Sequence, residues 1–171
     1  IGGSLIEQFR SFVMSMASVV NPLSSSLEAR KEARTLVLVV TTGARAAMLI
    51  GLPICIGFFL LGKTFIGLWM GAEYAEQAGQ ILIVLGIGHL IGLPYYTISG
   101  VLYGLGRHHV VAYTRIFEGL VNLGLSILLV QWIGLVGVAV GTIVPHIIVV
   151  AGVLPVVLAR WVPIDLREYY L

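Results

Sequence analysis

Five long apolar stretches dominate this sequence, each near or above the roughly 20 residues a helix needs to cross a ~30 Å hydrocarbon layer. They run over residues 5–26, 35–61, 79–104, 110–132 and 134–159. Runs of this length lack the period-2 alternation of a membrane barrel, so the expected fold is all-α, a polytopic transmembrane helical bundle of about five spans. The first span is the most polar: Glu7 and Arg10 interrupt its start, and Asn21, Pro22 and the serines 24–26 end it, which suits a helix lining water in part. Composition agrees, with 58% apolar and 11% charged residues against roughly 45–50% and 25% in soluble domains.

The connections carry an orientation signal. Arg30, Lys31 and Arg34 follow the first span, Arg107 the third, and Arg160 and Arg167 the fifth, whereas the second and fourth connections hold only Lys63. By the positive-inside rule the first and third loops and the C-terminal end are cytoplasmic, in a multi-pass protein of the cell membrane. Trp69 and Trp132 then fall at outer interfacial depths and Trp161 just beyond an inner one. The formal charge of +2 reflects this topology and implies no nucleic-acid partner. Cys55 is the single cysteine, so an intrachain disulfide is excluded. Pro53, Pro94, Pro145 and Pro155 lie inside spans, where each removes a backbone hydrogen bond and favours a kink.

Ionisable residues inside hydrocarbon are costly and therefore informative. Residues three, four and seven apart share a helix face, so Arg115, Glu118, Asn122 and Ser126 draw a polar stripe along the fourth span. If that helix enters the hydrocarbon near Val110, Arg115 lies roughly 7 Å deep and Glu118 roughly 12 Å deep. The stripe is either an internal ion pair packed between helices or one wall of a hydrated cavity, with Arg115 attracting an anion and Glu118 tuning it or exchanging a proton. His89, Gly92, Tyr96, Ser99 and Tyr103 form a comparable face on the third span, suited to a sugar or to helix packing. Arg45, beside Thr41 and Thr42, either joins the cavity wall or snorkels to the headgroups. His146, after Pro145 on an apolar helix, reads as a hydrogen-bonded packing residue. The candidate binding residues are thus Arg115, Glu118, Asn122, Arg45, His89 and Tyr96.

No enzyme motif accompanies them. GxxxxGK[ST], HExxH and CxxC are absent, and the single aspartate, Asp165, lies beyond the last span. No catalytic residue, metal or cofactor is expected, because one embedded glutamate cannot hold divalent ions for phosphotransfer.

Four segments, in order, carry a resemblance: Asn21-Pro-Leu-Ser-Ser-Ser-Leu-Glu-Ala-Arg30; Gly51-Leu-Pro-Ile with Phe65-Ile-Gly-Leu-Trp-Met-Gly71; Val101-Leu-Tyr-Gly-Leu-Gly-Arg107-His; and Gly134-Leu-Val-Gly-Val-Ala-Val-Gly-Thr142. They resemble the C-terminal half of bacterial polysaccharide and lipid-linked oligosaccharide flippases of the multidrug, oligosaccharidyl-lipid and polysaccharide exporter superfamily. The resemblance implies part of a 12- to 14-span, two-lobe transporter, with residues 1–171 as a C-terminal lobe fragment and its segments matching spans eight to twelve. The tail from Asp165 to Tyr170 looks like the lead into a further span pair. The implied mechanism is alternating access, in which a cavity takes a polyprenyl-linked glycan on one side and releases it on the other. Implied partners are the bilayer, the missing N-terminal lobe and other glycan assembly proteins. A cation-coupled multidrug extruder of the same superfamily and a non-transporting scaffold of a glycan assembly complex are the alternatives.

Overall fold

The computed structural model describes residues 19–165, together with Glu7 and Ser11. Most of the expected first span lies outside the described residues. Its end, with Asn21 and the three serines, belongs to helix α1, Val20–Ala29. The helices that follow are α2 (Ala33–Met70), α3 (Ala72–Gly92), α4 (Pro94–Gly104), α5 (His108–Ile133) and α6 (Leu135–Ile147). A wider π-helical stretch, Ile148–Val153, continues α6 into α7, Leu154–Leu158. There is no strand among the described residues, and four helical stretches are long and apolar enough to cross a membrane: Ala33–Met70, Ala72–Gly92, His108–Ile133 and Leu135–Leu158. The chain is a multi-pass helical membrane protein.

Turn chemistry explains the connections. At the end of α1, Lys31 takes a left-handed conformation (φ 58°) while the Glu32 N–H donates to Leu27 O and the Lys31 N–H to Glu28 O, a Schellman ending. Gly106 (φ 68°) repeats the arrangement after α4, with Arg107 N–H on Leu102 O. Single glycines make the other two turns, Gly71 (φ 114°) between α2 and α3 and Gly134 (φ 63°) between α5 and α6.

Two elements differ from the apolar pattern. The segment 62–78, which reads as a connection because of its charges, is helical on both sides of Gly71. Lys63 and Glu76 pair at 2.8 Å across the hairpin, each from within its helix. Helix α2, at 38 residues, is therefore about 57 Å long, more than a bilayer with its headgroups, and must tilt or project. The single expected span 79–104 is divided: Pro94 cannot donate to the preceding turn, and the chain breaks at Leu93 into α3 and α4.

The main core lies at the end of the bundle where α2 and α5 begin. Leu36 and Val40 of α2, Ile98 and Leu102 of α4, Val111 of α5 and Leu154 and Leu158 of α7 are buried there together. Arg107 stacks its guanidinium 5.1 Å from the Trp161 ring at this end. Further along, α2 and α3 pack through small residues, since Gly62 faces Leu82 and Gly79 faces Lys63. Helix α5 is different: the most apolar part of it has no buried residue, and Tyr113, Ile116, Phe117 and Leu120 are exposed. Only the edge bearing Arg115, Glu118, Asn122 and Ser126 turns inward against α6 and its neighbours.

Candidate functional site in the helix bundle

Arg115 and Glu118 are one turn apart on α5, and the guanidinium Nη1 donates to both carboxylate oxygens at 3.0 and 2.9 Å. Two further contacts fix the pair. Arg115 Nε donates to Tyr95 Oη at 2.8 Å while its Cζ lies 3.8 Å from the Tyr95 ring centroid, so α4 supplies both an acceptor and a π face. His146 Nδ1 lies 2.9 Å from Glu118 Oε1, bringing α6 into the same network. An unpaired charge at membrane depth costs about 2.5 to 3.5 kcal/mol on insertion scales, and this mutual satisfaction offsets that cost.

The His146 ring is held in place by what is missing opposite it. Gly92 faces it at the end of α3, and a Cβ there would collide with His146 Nε2. Its centroid lies 5.8 Å from that of His89 and 6.2 Å from that of Tyr95. His89 Nδ1 lies 2.9 Å from the Leu85 carbonyl of its own helix, which orients its ring.

These groups border a cavity of about 390 Å³. Its wall includes Arg115, Glu118, His89, His146, Tyr96 and Thr142, with apolar stretches from Leu85, Val138 and Ile143, and Glu7 also borders it. The Arg115 side chain keeps 38% of its surface accessible, against 14% for Glu118 and 11% for His146. Within this network the arginine is the most accessible group and the two behind it are nearly covered, while Glu7 on the cavity border is itself exposed. The size and the mixture of apolar wall with few polar groups fit a ligand site.

Of the candidate residues from the sequence, Arg115, Glu118, His89 and Tyr96 come together around this cavity. Asn122 sits one turn further along α5, where its Oδ1 accepts from Ser126 Oγ at 2.8 Å and Thr142 Oγ1 at 3.4 Å, in the seam between α5 and α6. Arg45 is placed elsewhere, exposed on α2 beside a separate cavity of about 170 Å³ between Pro94 and the π-helical residues Val150 and Ala151. His146 and Tyr95 complete the network without having been singled out as binding residues. A histidine in an apolar span needs a partner, which is the signal for the first; the signal for the second appears only once α4 meets α5.

The described residues contain no group of three or more His, Cys, Asp or Glu that could hold a metal ion. The described residues thus form a polytopic helical bundle with a charged cavity between its helices. The chain belongs to the MatE family, whose family model matches residues 1–128. It is also similar to the probable low-salt glycan biosynthesis flippase Agl15 of Haloferax volcanii, 24% identical over 131 residues. That match covers 77% of this chain and 28% of the relative, so the chain spans less than a third of the relative's length. No solved structure matches it.

Proposed function

We propose that the protein is a flippase that translocates a lipid-linked oligosaccharide or polysaccharide precursor by alternating access, and that Arg115 holds the anionic headgroup. The observation that carries this reading is the Arg115 guanidinium, anchored by Tyr95 and Glu118 yet open to the cavity. Arginine suits phosphate because its planar fork offers several donors at once. Tyr96, His89 and Thr142 add hydroxyl and imidazole groups suited to sugar hydroxyls, while the lipid chain stays in the bilayer. The similarity to a protein described as a probable glycan biosynthesis flippase supports the same cargo class. Arg45, on its separate cavity, joins this reading only as a contact for cargo passing along the outer surface of α2.

In this reading the end bearing Lys31, Arg107 and Arg160 faces the cytoplasm, as does the C-terminal end, and the rest of the parent protein closes the cavity from the other side. The protein acts without catalysing a chemical reaction, and its partners are the bilayer, a polyprenyl-linked glycan and glycan assembly proteins. A cation-coupled extruder is the second reading, favoured by the two carboxylates, Glu7 and Glu118, that border the cavity. The full-length protein in vesicles, supplied with a fluorescent polyprenyl-diphosphate oligosaccharide or with an organic cation dye, separates them. The flippase reading expects movement of the glycolipid between leaflets and no dye transport; dye transport alone would replace it with the second.

A further inference from the structure

The charges of the cavity do not suit an anion as they stand. Among the described residues, Arg115 is the one permanent cation on its wall, against the carboxylates Glu7 and Glu118 and the imidazoles His89 and His146. Both Nη1 contacts of Arg115 go to Glu118 and its Nε to Tyr95. An arriving phosphate must therefore share the guanidinium with Glu118 or displace it, and a half-buried carboxylate that loses its cation is left with a large desolvation penalty. One group stands ready to compensate. His146 Nδ1 is already 2.9 Å from Glu118 Oε1, on the neighbouring helix and almost covered.

We infer that an anion entering the cavity replaces Glu118 on Arg115, and that Glu118 is then held by His146, which takes up one proton from water to become its new cation. The inference rests on the anionic-cargo reading and names how that site changes when it fills. With Nδ1 committed to Glu118, the ring nitrogen that accepts the proton is Nε2, and the imidazolium then has a donor on each nitrogen. Gly92 lies close on the Nε2 side of the ring, where a Cβ would meet it. The charged and titratable groups around it are Glu118 and Arg115 from α5, Tyr95 and Tyr96 from α4 and His89 from α3, with Glu7 lining the same cavity. Removing Arg115 from Glu118 leaves the Glu118 carboxylate, 2.9 Å from Nδ1, favouring the imidazolium. Linkage then requires the reverse effect, so that lowering the pH by one unit tightens anion binding, by up to about tenfold for one linked proton.

Sulfate is the probe, since it neither gains nor loses a proton in this range. It is added to the purified full-length protein in weakly buffered detergent solution at pH 7.5 with a pH dye, and chloride of matched ionic strength serves as control. The expected result is uptake of about one proton per protein on binding, with sulfate protecting against thermal unfolding more strongly at pH 6 than at pH 8. Glu118→Gln should bind sulfate about tenfold more tightly, having no competing carboxylate, and take up no proton. His146→Gln should bind more weakly, also without uptake. Sulfate protection with no proton uptake, or unchanged uptake in Glu118→Gln, would overturn the hand-over while leaving Arg115 an anion site. No protection at any pH from 5.5 to 8 would overturn the anion site and the hand-over together.

Discussion

His146 Nδ1 stands 2.9 Å from Glu118 Oε1, and this contact joins α6 to α5 at the depth where Arg115 opens into the cavity. Glu118 is thereby shared between a cation on its own helix and an imidazole on the next. The site is built across a helix seam, so its geometry depends on how closely α3, α5 and α6 approach one another.

That dependence is testable at Gly92. Alanine there puts a methyl group onto the His146 ring, and overpacking of this kind costs about 1 to 3 kcal/mol. Gly57 has open space around it, and alanine at that position gains up to about 1 kcal/mol of helix propensity. In thermal unfolding of the purified full-length protein, Gly92→Ala should melt below the parent and Gly57→Ala at or above it. Equal melting of the two variants would show that the ring is not held by this approach.

The α2–α3 hairpin makes a second contrast. Gly71 sits at φ 114°, in a region closed to side chains, so Gly71→Ala should cost about 1 to 2 kcal/mol. The Lys63–Glu76 pair is exposed, and Glu76→Gln should leave the unfolding temperature essentially unchanged. A larger loss for Glu76→Gln than for Gly71→Ala would mean that the pair, not the turn, sets the hairpin.

The proposed orientation puts the end with Lys31, Arg107 and Trp161 in the cytoplasm and the Gly71 and Gly134 turns outside. In intact cells an impermeant thiol reagent should label cysteines placed at Ala72 or Ile133 and miss those at Ala33 or His108. The opposite pattern would invert the topology.

The apolar runs made α5 and the α6–α7 pair legible almost to the residue, because Arg107 and Gly134 interrupt them where the helices begin and end. The α2–α3 hairpin was obscured by Lys63, Glu73 and Glu76, whose charges look like a loop until Lys63 and Glu76 are seen to meet across the turn. The Arg115–Glu118 contact follows from helical spacing alone. The contribution of His146 does not, since it depends on Gly92 letting α3 approach α6, a relation between segments more than fifty residues apart. The π-helical stretch before Pro155 likewise leaves no periodic trace in a run that is apolar throughout.

In the proposed function Arg115 acts on the cargo and is more than the structural partner of Glu118. Exchanging the two charges, Arg115→Glu with Glu118→Arg, keeps their mutual neutralisation but moves the cation by one turn and sets it against His146. The deciding measurement is glycan export by the swapped full-length protein in cells lacking the parent, normalised to the amount in the membrane and compared with Arg115→Lys. Normal membrane levels are expected, with export largely lost in the swap and partly kept in Arg115→Lys; normal export by the swapped protein would leave Arg115 only a structural partner of Glu118.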